Sequence, residues 1–218
     1  MVSHELRNPL TAIKAYVHLL NRAAKKDNDN GLADKMSKID NQVQRMENLI
    51  SGFLDAARLG EGKINLKKSH FDMADLVKRT EQECMTMITS HRLIFAPAEI
   101  AVVEADRSKI EQVMTNFINN AVKYSLYDTC ITVNCFTKDG FAYFSVKDQG
   151  MGIPAKDHPF IFDRFYRVES DAMKNTKGFG MGLYICKEII ERHHGQIGME
   201  STEGSGSTFW FRLPVAIS

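Results

Sequence analysis

The chain is 218 residues long, and at roughly 150 residues per domain this allows one large domain or two small ones. It carries 28 Lys and Arg against 27 Asp and Glu, a formal net charge of +1, which argues against bulk binding to nucleic acid or to an anionic membrane. With 44% hydrophobic and 25% charged residues it has an ordinary globular composition and enough apolar material to build a core without covalent staples. The four cysteines, Cys84, Cys130, Cys135 and Cys186, form no CxxC pair and have no metal-ligand spacing with histidine. A Cys130–Cys135 disulfide stays open, but thiols in a reducing compartment are the preferred reading. No run of 18 apolar residues and no signal-peptide pattern occurs, so a cytoplasmic chain is expected.

The first 60 residues are poor in glycine and proline. Leu6, Leu10, Ile13, Val17 and Leu20 recur at spacings of four and three. After a polar break the series resumes at Met36, Ile39, Val43, Met46, Ile50, Phe53 and Ala57. Two heptad seams predict an antiparallel helical hairpin with a narrow apolar stripe on each helix. A hairpin this small is marginal alone, so two copies joined as a four-helix bundle form the economical arrangement. At roughly 100° per residue His4 lies about 160° from Leu6, opposite the seam, with Glu5 beside it and Asn8 one turn on. Pro9 removes the amide that would bond the Glu5 carbonyl, a cost of about 3 kcal/mol, which points to a local geometry worth keeping.

Gly60, Gly62, Lys67 and Lys68 mark a linker, and a division into 1–68 and 69–218 follows. The first part carries 12 basic and 8 acidic groups, the second 16 and 19, so net charges of +4 and −3 hide behind the total. Residues 72 to about 90 read as a helix, and residues 106–124 as a second one with Ile110, Val113, Met114, Phe117, Ile118 and Ala121 on its apolar face. Alternation in Ile131-Val133-Cys135 and Ala142-Phe144-Val146 around Asp139-Gly140 predicts a hairpin. Residues 181–194 read as a helix stopped by Gly195, and closing strands flank Glu203-Gly204-Ser205-Gly206. Helices with mostly antiparallel strands make an α+β sandwich.

Three clusters in this second part point to a ligand. Asn116, Asn119 and Asn120 crowd five positions of a helix although asparagine is a poor helix former, and Asn116, Asn120 and Lys123 share a polar face. Asp148-Gln149-Gly150-Met151-Gly152-Ile153-Pro154 follows a strand and offers a carboxylate beside glycines over which a ring can lie closely. Gly178-Phe179-Gly180-Met181-Gly182 opens a helix, where backbone amides can hold phosphate; it is neither a Walker loop nor a dinucleotide fingerprint.

Ser3-His4-Glu5-Leu6-Arg7-Asn8-Pro9-Leu10 resembles the phosphoacceptor box of two-component sensor histidine kinases. The later clusters, in this order, resemble the ATP-binding domain of the same family within the gyrase/chaperone/MutL superfamily: Asn116–Ser125 as the N box, Asp148–Pro154 as the G1 box, Phe162–Arg167 as the F box and Gly178–Gly182 as the G2 box. The resemblance covers nearly the whole chain. It implies a dimeric four-helix bundle followed by a Bergerat-type ATPase fold, ATP and Mg²⁺ as cofactors, a homodimer, and a response regulator receiver domain as partner. Carried over, His4 is the phosphorylated residue, Glu5 its general base, and Asn8 the orienter of water for dephosphorylating the partner. Asp148 would hold the adenine amine, Asn120 would coordinate Mg²⁺ with Asn116 in support, Lys123 would touch phosphate, and Tyr124 would pack near base or ribose. Gly150, Gly152, Gly178, Gly180, Gly182 and Leu183 would line the nucleotide site, Arg164 would reach the γ-phosphate, and residues 155–181 would form a lid.

Two departures stand out. Phe179 sits where the family favours a small or hydroxylated residue, and only three residues precede His4, whereas family members continue upstream towards a sensor or membrane span. The chain is accordingly expected to be a catalytic fragment that itself contacts neither membrane nor nucleic acid. Two other classes stay open: a nucleotide-gated conformational ATPase of the gyrase/chaperone/MutL type, and a dimerising module with phosphatase activity alone.

Overall fold

The computed structural model describes residues 66–168 and 180–216 throughout, and in the first 60 residues positions 13, 16, 17, 20, 31, 32, 35–40, 43 and 46. The chain divides into two units, Met1–Ile64 and Asn65–Ser218. In the first unit the described residues are all helical. Val17 and Val43, one from each seam, are buried, while Ile13, Leu20, Ile39 and Met46 on the same seams are 41–49% exposed. His4, Glu5 and Asn8 lie outside the described residues, as do Gly178 and Phe179.

The second unit opens with strand β1 (Ser69–Asp72) and helix α1 (Met73–Met87). Asp72 caps this helix: its Oδ1 accepts from the Ala74 and Ala101 amides at 3.0 and 2.9 Å, filling a donor vacancy at the helix start and tying it to the segment before β3. Strands β2 (Arg92–Phe95) and β3 (Val102–Ala105) lead to helix α2 (Arg107–Tyr124), capped by Asp106. Strands β4 (Cys130–Lys138) and β5 (Phe141–Lys147) meet at Asp139 and Gly140, both at positive φ (50° and 76°), the conformation a tight two-residue hairpin with right-twisted strands demands. A 3₁₀ turn (Ala155–Asp157), helix α3 (Gly182–Arg192), and strands β6 (Gln196–Thr202) and β7 (Gly206–Pro214) complete the unit.

The main sheet runs β2-β4-β5-β7-β6, with β2 parallel to β4 and every other pairing antiparallel; β1 and β3 form a separate antiparallel pair. Period-two alternation puts Ile131, Val133, Cys135, Ala142, Phe144, Val146, Phe209, Phe211 and Leu213 on the buried face. Phe117 of α2 lies against Phe209 and Phe211 at 5.7 and 6.2 Å between ring centroids, so one helix layer covers one sheet face. This is the expected α+β sandwich.

Three details differ from the sequence reading. The strands β1, β2 and β3 had no counterpart in it, because four residues are too few to display a period. Helix α3 starts one residue later and ends two residues earlier than read, and the residue that breaks it in left-handed conformation is His194 (φ 57°), just beyond its C-cap His193. Gly195 is constrained by space instead: a Cβ there would lie 2.8 Å from Leu213 Cδ2. All four cysteines are free, and burial pushes the Cys135 thiol up to about 12, so it is inert near neutrality.

Candidate nucleotide-binding site

A cavity of about 260 Å³ opens between the C-terminal half of α2, the loop after β5, the start of α3 and strand β7. Asn120, Lys123 and Tyr124 reach it from α2, Gly182 and Leu183 from α3, Ser207 and Phe209 from β7, and Asp148, Gly152 and Ile153 from the loop. Ile161, Tyr166, Arg167, Val168 and Gly180 close its outer wall.

Asp148 is the buried charge of this cavity, 4% exposed. Its own amide donates to the Ser207 carbonyl at 2.8 Å, and its Oδ1 accepts from the amides of Gly150 and Ser207 at 2.8 and 3.2 Å. Burial pushes the carboxyl above its usual range and the two amide bonds oppose this in part. Both bonds fall on Oδ1, which leaves Oδ2 as the oxygen able to accept from a ligand. The carboxyl is therefore rigidly aimed, and it sits at the end of β5 because the β5–β7 ladder runs directly into the Ser207 contact.

The glycine loop is pinned from both sides. Met151 donates to the Tyr124 carbonyl at 3.4 Å, Gly204 donates to the Met151 carbonyl at 2.7 Å, and Ile153 donates to Ser201 Oγ at 2.8 Å. Gly152 has φ +65°, and a Cβ there would lie 2.7 Å from the Thr202 carbonyl carbon, so glycine is required by conformation and by space. Gly150 forms an isolated bridge with Ser125 and stands behind the cavity rather than in its wall.

On α2, Asn120 Nδ2 donates to Asn116 Oδ1 at 3.0 Å, which leaves the Asn120 carbonyl oxygen for the cavity. Asn116 does not line the cavity; it supports Asn120 and receives the start of α3, where a Cβ on Gly182 would sit 2.7 Å from Asn116 Nδ2. Lys123 Nζ donates to the Tyr124 hydroxyl at 3.0 Å and lies 4.6 Å from that ring's centroid, so a cation and an aromatic face share the rim. Asn119, the third amide of the cluster, is exposed.

Of the residues singled out in sequence, Asn120, Lys123, Tyr124, Asp148, Gly152, Gly180, Gly182 and Leu183 come together around one cavity. Arg164 does not: it is exposed and sits over the rings of Phe165 and Tyr184, at 5.4 and 5.9 Å. Arg167, from the same six-residue motif, is the arginine of the wall. Ser207 and Phe209 were missed because they read as ordinary strand residues; only the pairing of β7 with β5 carries them to Asp148. No group of three or more His, Cys, Asp or Glu able to hold a metal ion exists among the described residues.

This architecture has known counterparts. Residues 105–217 match the family described as histidine kinase-, DNA gyrase B- and HSP90-like ATPase, and residues 1–62 match the His Kinase A (phospho-acceptor) domain. The sensor histidine kinase WalK of Bacillus subtilis is 33% identical over 98% of this chain, which spans 35% of that protein. The adaptive-response sensory kinase SasA of a Synechococcus species is 30% identical over 99% of the chain, covering 58% of that protein. The fold superposes on full-length ShkA, solved with AMPPNP, with a TM-score of 0.80 at 24% identity over 100% of this chain and 45% of ShkA. The chain thus spans from about a third to just over half of the curated relatives it matches. It belongs to the histidine kinase-, DNA gyrase B- and HSP90-like ATPase family, as the catalytic core of a two-component sensor histidine kinase.

Proposed function

We propose that this chain binds Mg-ATP in the cavity around Asp148, transfers the γ-phosphoryl group to His4, and passes it on to an aspartate of a response regulator receiver domain. The observation that carries the reading is the aimed Asp148 carboxyl: two backbone amides hold Oδ1, and Oδ2 is left for an exocyclic amine such as that of adenine. The lining fits a nucleotide in kind. Apolar Ile153, Ile161 and Phe209 suit a base, and Lys123 and Arg167 supply positive charge for phosphates. The Asn120 carbonyl oxygen is a hard donor of the sort Mg²⁺ takes along with phosphate oxygens and water, and Asn116 fixes that amide's orientation. When bound, Mg²⁺ neutralises charge on the phosphates.

At His4 the chemistry is nucleophilic attack by a neutral imidazole nitrogen on the γ-phosphorus, with the P–O bond to ADP breaking. Glu5 takes the imidazole proton, and Asn8 later orients water for dephosphorylating the regulator. The half-exposed seam residues Ile13, Leu20, Ile39 and Met46 support a homodimer, because a second hairpin would cover them in a four-helix bundle. We place the domain boundary at the linker, with 1–68 for dimerisation and phosphotransfer and 69–218 for ATP binding, in the cytoplasm; no helix among the described residues is long and apolar enough to cross a membrane. The phospho-acceptor match over residues 1–62 favours this reading over a conformational ATPase of the gyrase or chaperone kind.

Incubation with γ-labelled ATP and Mg²⁺, followed by receiver domains, tests it. Label on the chain that moves to a receiver supports the proposal. ATP turnover without label on protein points to a conformational ATPase, and regulator dephosphorylation alone points to a phosphatase module.

A further inference from the structure

Behind the outer wall of the cavity lies another buried carboxyl, with no direct part in lining it. Asp157 ends the 3₁₀ turn Ala155–Asp157 and is 6% exposed, and it does not line the cavity. The Tyr166 hydroxyl donates to Asp157 Oδ1 at 2.6 Å, in the range of hydrogen bonds assisted by charge. Oδ2 is enclosed and has no hydrogen-bond partner among the described residues. A half-satisfied buried carboxyl is a costly occupant of a site where an apolar or amide side chain would pack without that penalty. Among the described residues the carboxyl's hydrogen bond goes to Tyr166, which does line the cavity.

The loop between them is built around that bond. Asp163 donates to the Phe160 carbonyl at 2.8 Å, Tyr166 donates to the Asp163 carbonyl at 3.3 Å, and the rings of Phe160 and Tyr166 lie 5.5 Å apart. On its far side Phe165 stands at φ 64°, uncommon for a bulky residue, and its amide donates to the Gly180 carbonyl at 3.1 Å. Gly180 shares that crowding, since a Cβ there would lie 2.6 Å from the Phe165 carbonyl carbon. The loop is thus fastened twice: through Asp157–Tyr166 to the turn after the glycine loop, and through Phe165–Gly180 to the approach to α3. A strained residue between two fasteners keeps its conformation only while both hold.

We propose that Asp157 is a positioning residue for nucleotide binding: by holding the Tyr166 hydroxyl it sets the cavity wall of Tyr166, Arg167 and Val168 and the Gly180 turn beside it. The proposal rests on the reading of the cavity as an ATP site. The test uses the 218-residue chain as wild type, Tyr166→Phe, Asp157→Asn, Asp157→Ala and the Tyr166→Phe/Asp157→Ala double variant. Affinity for a non-hydrolysable ATP analogue with Mg²⁺ is measured by calorimetry, alongside melting and labelling at saturating ATP.

Tyr166→Phe and Asp157→Ala are each expected to weaken nucleotide binding roughly tenfold, the scale of one hydrogen bond to a charged group. The double variant should lose no more than either single variant, because the two residues act through one bond. Asp157→Asn keeps an acceptor for the hydroxyl and should recover most of the affinity, while labelling at saturating ATP stays near wild type, a KM effect rather than a kcat effect. Wild-type affinity in Tyr166→Phe, additive losses in the double variant, or equal losses in Asp157→Asn and Asp157→Ala would each overturn the proposal. Should Asp157→Ala not fold, Tyr166→Phe, which removes one oxygen, and Asp157→Asn decide it. A wild-type chain that binds no nucleotide overturns the ATP reading itself, an outcome distinct from equal binding by all forms.

Discussion

The backbone amide of Asp106 donates to Nε2 of His193 at 2.9 Å, joining the start of α2 to the end of α3 across 87 positions of sequence. Because that nitrogen accepts, the ring's proton is on Nδ1, which donates to the Ile189 carbonyl at 2.7 Å. The Asp106 carboxyl meanwhile takes the Lys67 amide at 2.9 Å on Oδ2 and the Ser108 hydroxyl at 2.8 Å on Oδ1. The two helices that line the cavity are thus fastened at one node, to each other and to the segment entering the domain.

That node makes stability depend on pH. Burial holds the His193 imidazole below its ordinary value of 6.5, with Lys68 and His194 adding to the effect and the Ile189 carbonyl and Asp106 opposing it. Below about 6.5 the unfolded chain takes a proton that the folded imidazole refuses, so stability is full above this value and falls as the medium is acidified through it. Burial pushes the Asp106 carboxyl up, but the bonds from Lys67, Ser108 and Lys109 outweigh it and leave the carboxyl below 3.8; its contribution is lost only in stronger acid. Thermal melts between pH 7.5 and 5.5 should show the midpoint falling with pH, and His193→Gln should flatten that slope. His193→Ala should cost about 1–3 kcal/mol through two buried bonds broken.

Replacing Asp148 by Asn retains an acceptor for the Gly150 and Ser207 amides but can put a donor in place of Oδ2. Nucleotide affinity should fall roughly 10- to 100-fold, the loss of a hydrogen bond to a charged acceptor, while the fold persists. Calorimetric titration with an ATP analogue checks this, with circular dichroism as the control.

Asn120→Ala removes both the oxygen proposed to meet Mg²⁺ and the partner of Asn116. Labelling from ATP should be lost at every Mg²⁺ concentration, with folding stability changed by about 1 kcal/mol at most, since the pair is only partly buried. Normal labelling by this variant would dismiss the metal assignment.

Gly152→Ala forces a left-handed residue with a Cβ 2.7 Å from the Thr202 carbonyl carbon. Left-handed strain alone costs about 1–2 kcal/mol, and the clash must shift the β6–β7 turn or the loop. Denaturant melts should show at least this loss, along with weaker nucleotide binding.

Much of this was legible in sequence where a period or a turn chemistry was strong. The apolar face of α2 from Ile110 to Ala121 shows a 3.6-residue period, and Asp139-Gly140 between alternating runs declares a hairpin. Asp148 could be read because an acid followed by spaced glycines is chemically unusual. The four-residue strands could not, since Arg92–Phe95 becomes a strand only through its parallel pairing with β4. Phe209, Ser207 and Asp157 were equally silent: their roles come from contacts with residues 9 to 92 positions away, which local pattern does not encode. Between Arg164 and Arg167, only the folded loop shows which one faces the cavity.

The central proposed step is acceptance of the γ-phosphoryl group by His4. The chain and its His4→Gln variant, incubated with γ-labelled ATP and Mg²⁺, should differ completely. The wild type should take up label that survives alkali and is lost in acid, as a phosphorus–nitrogen bond requires, and His4→Gln should take up none. Equal labelling of the two forms, or label stable to acid, would contradict the account.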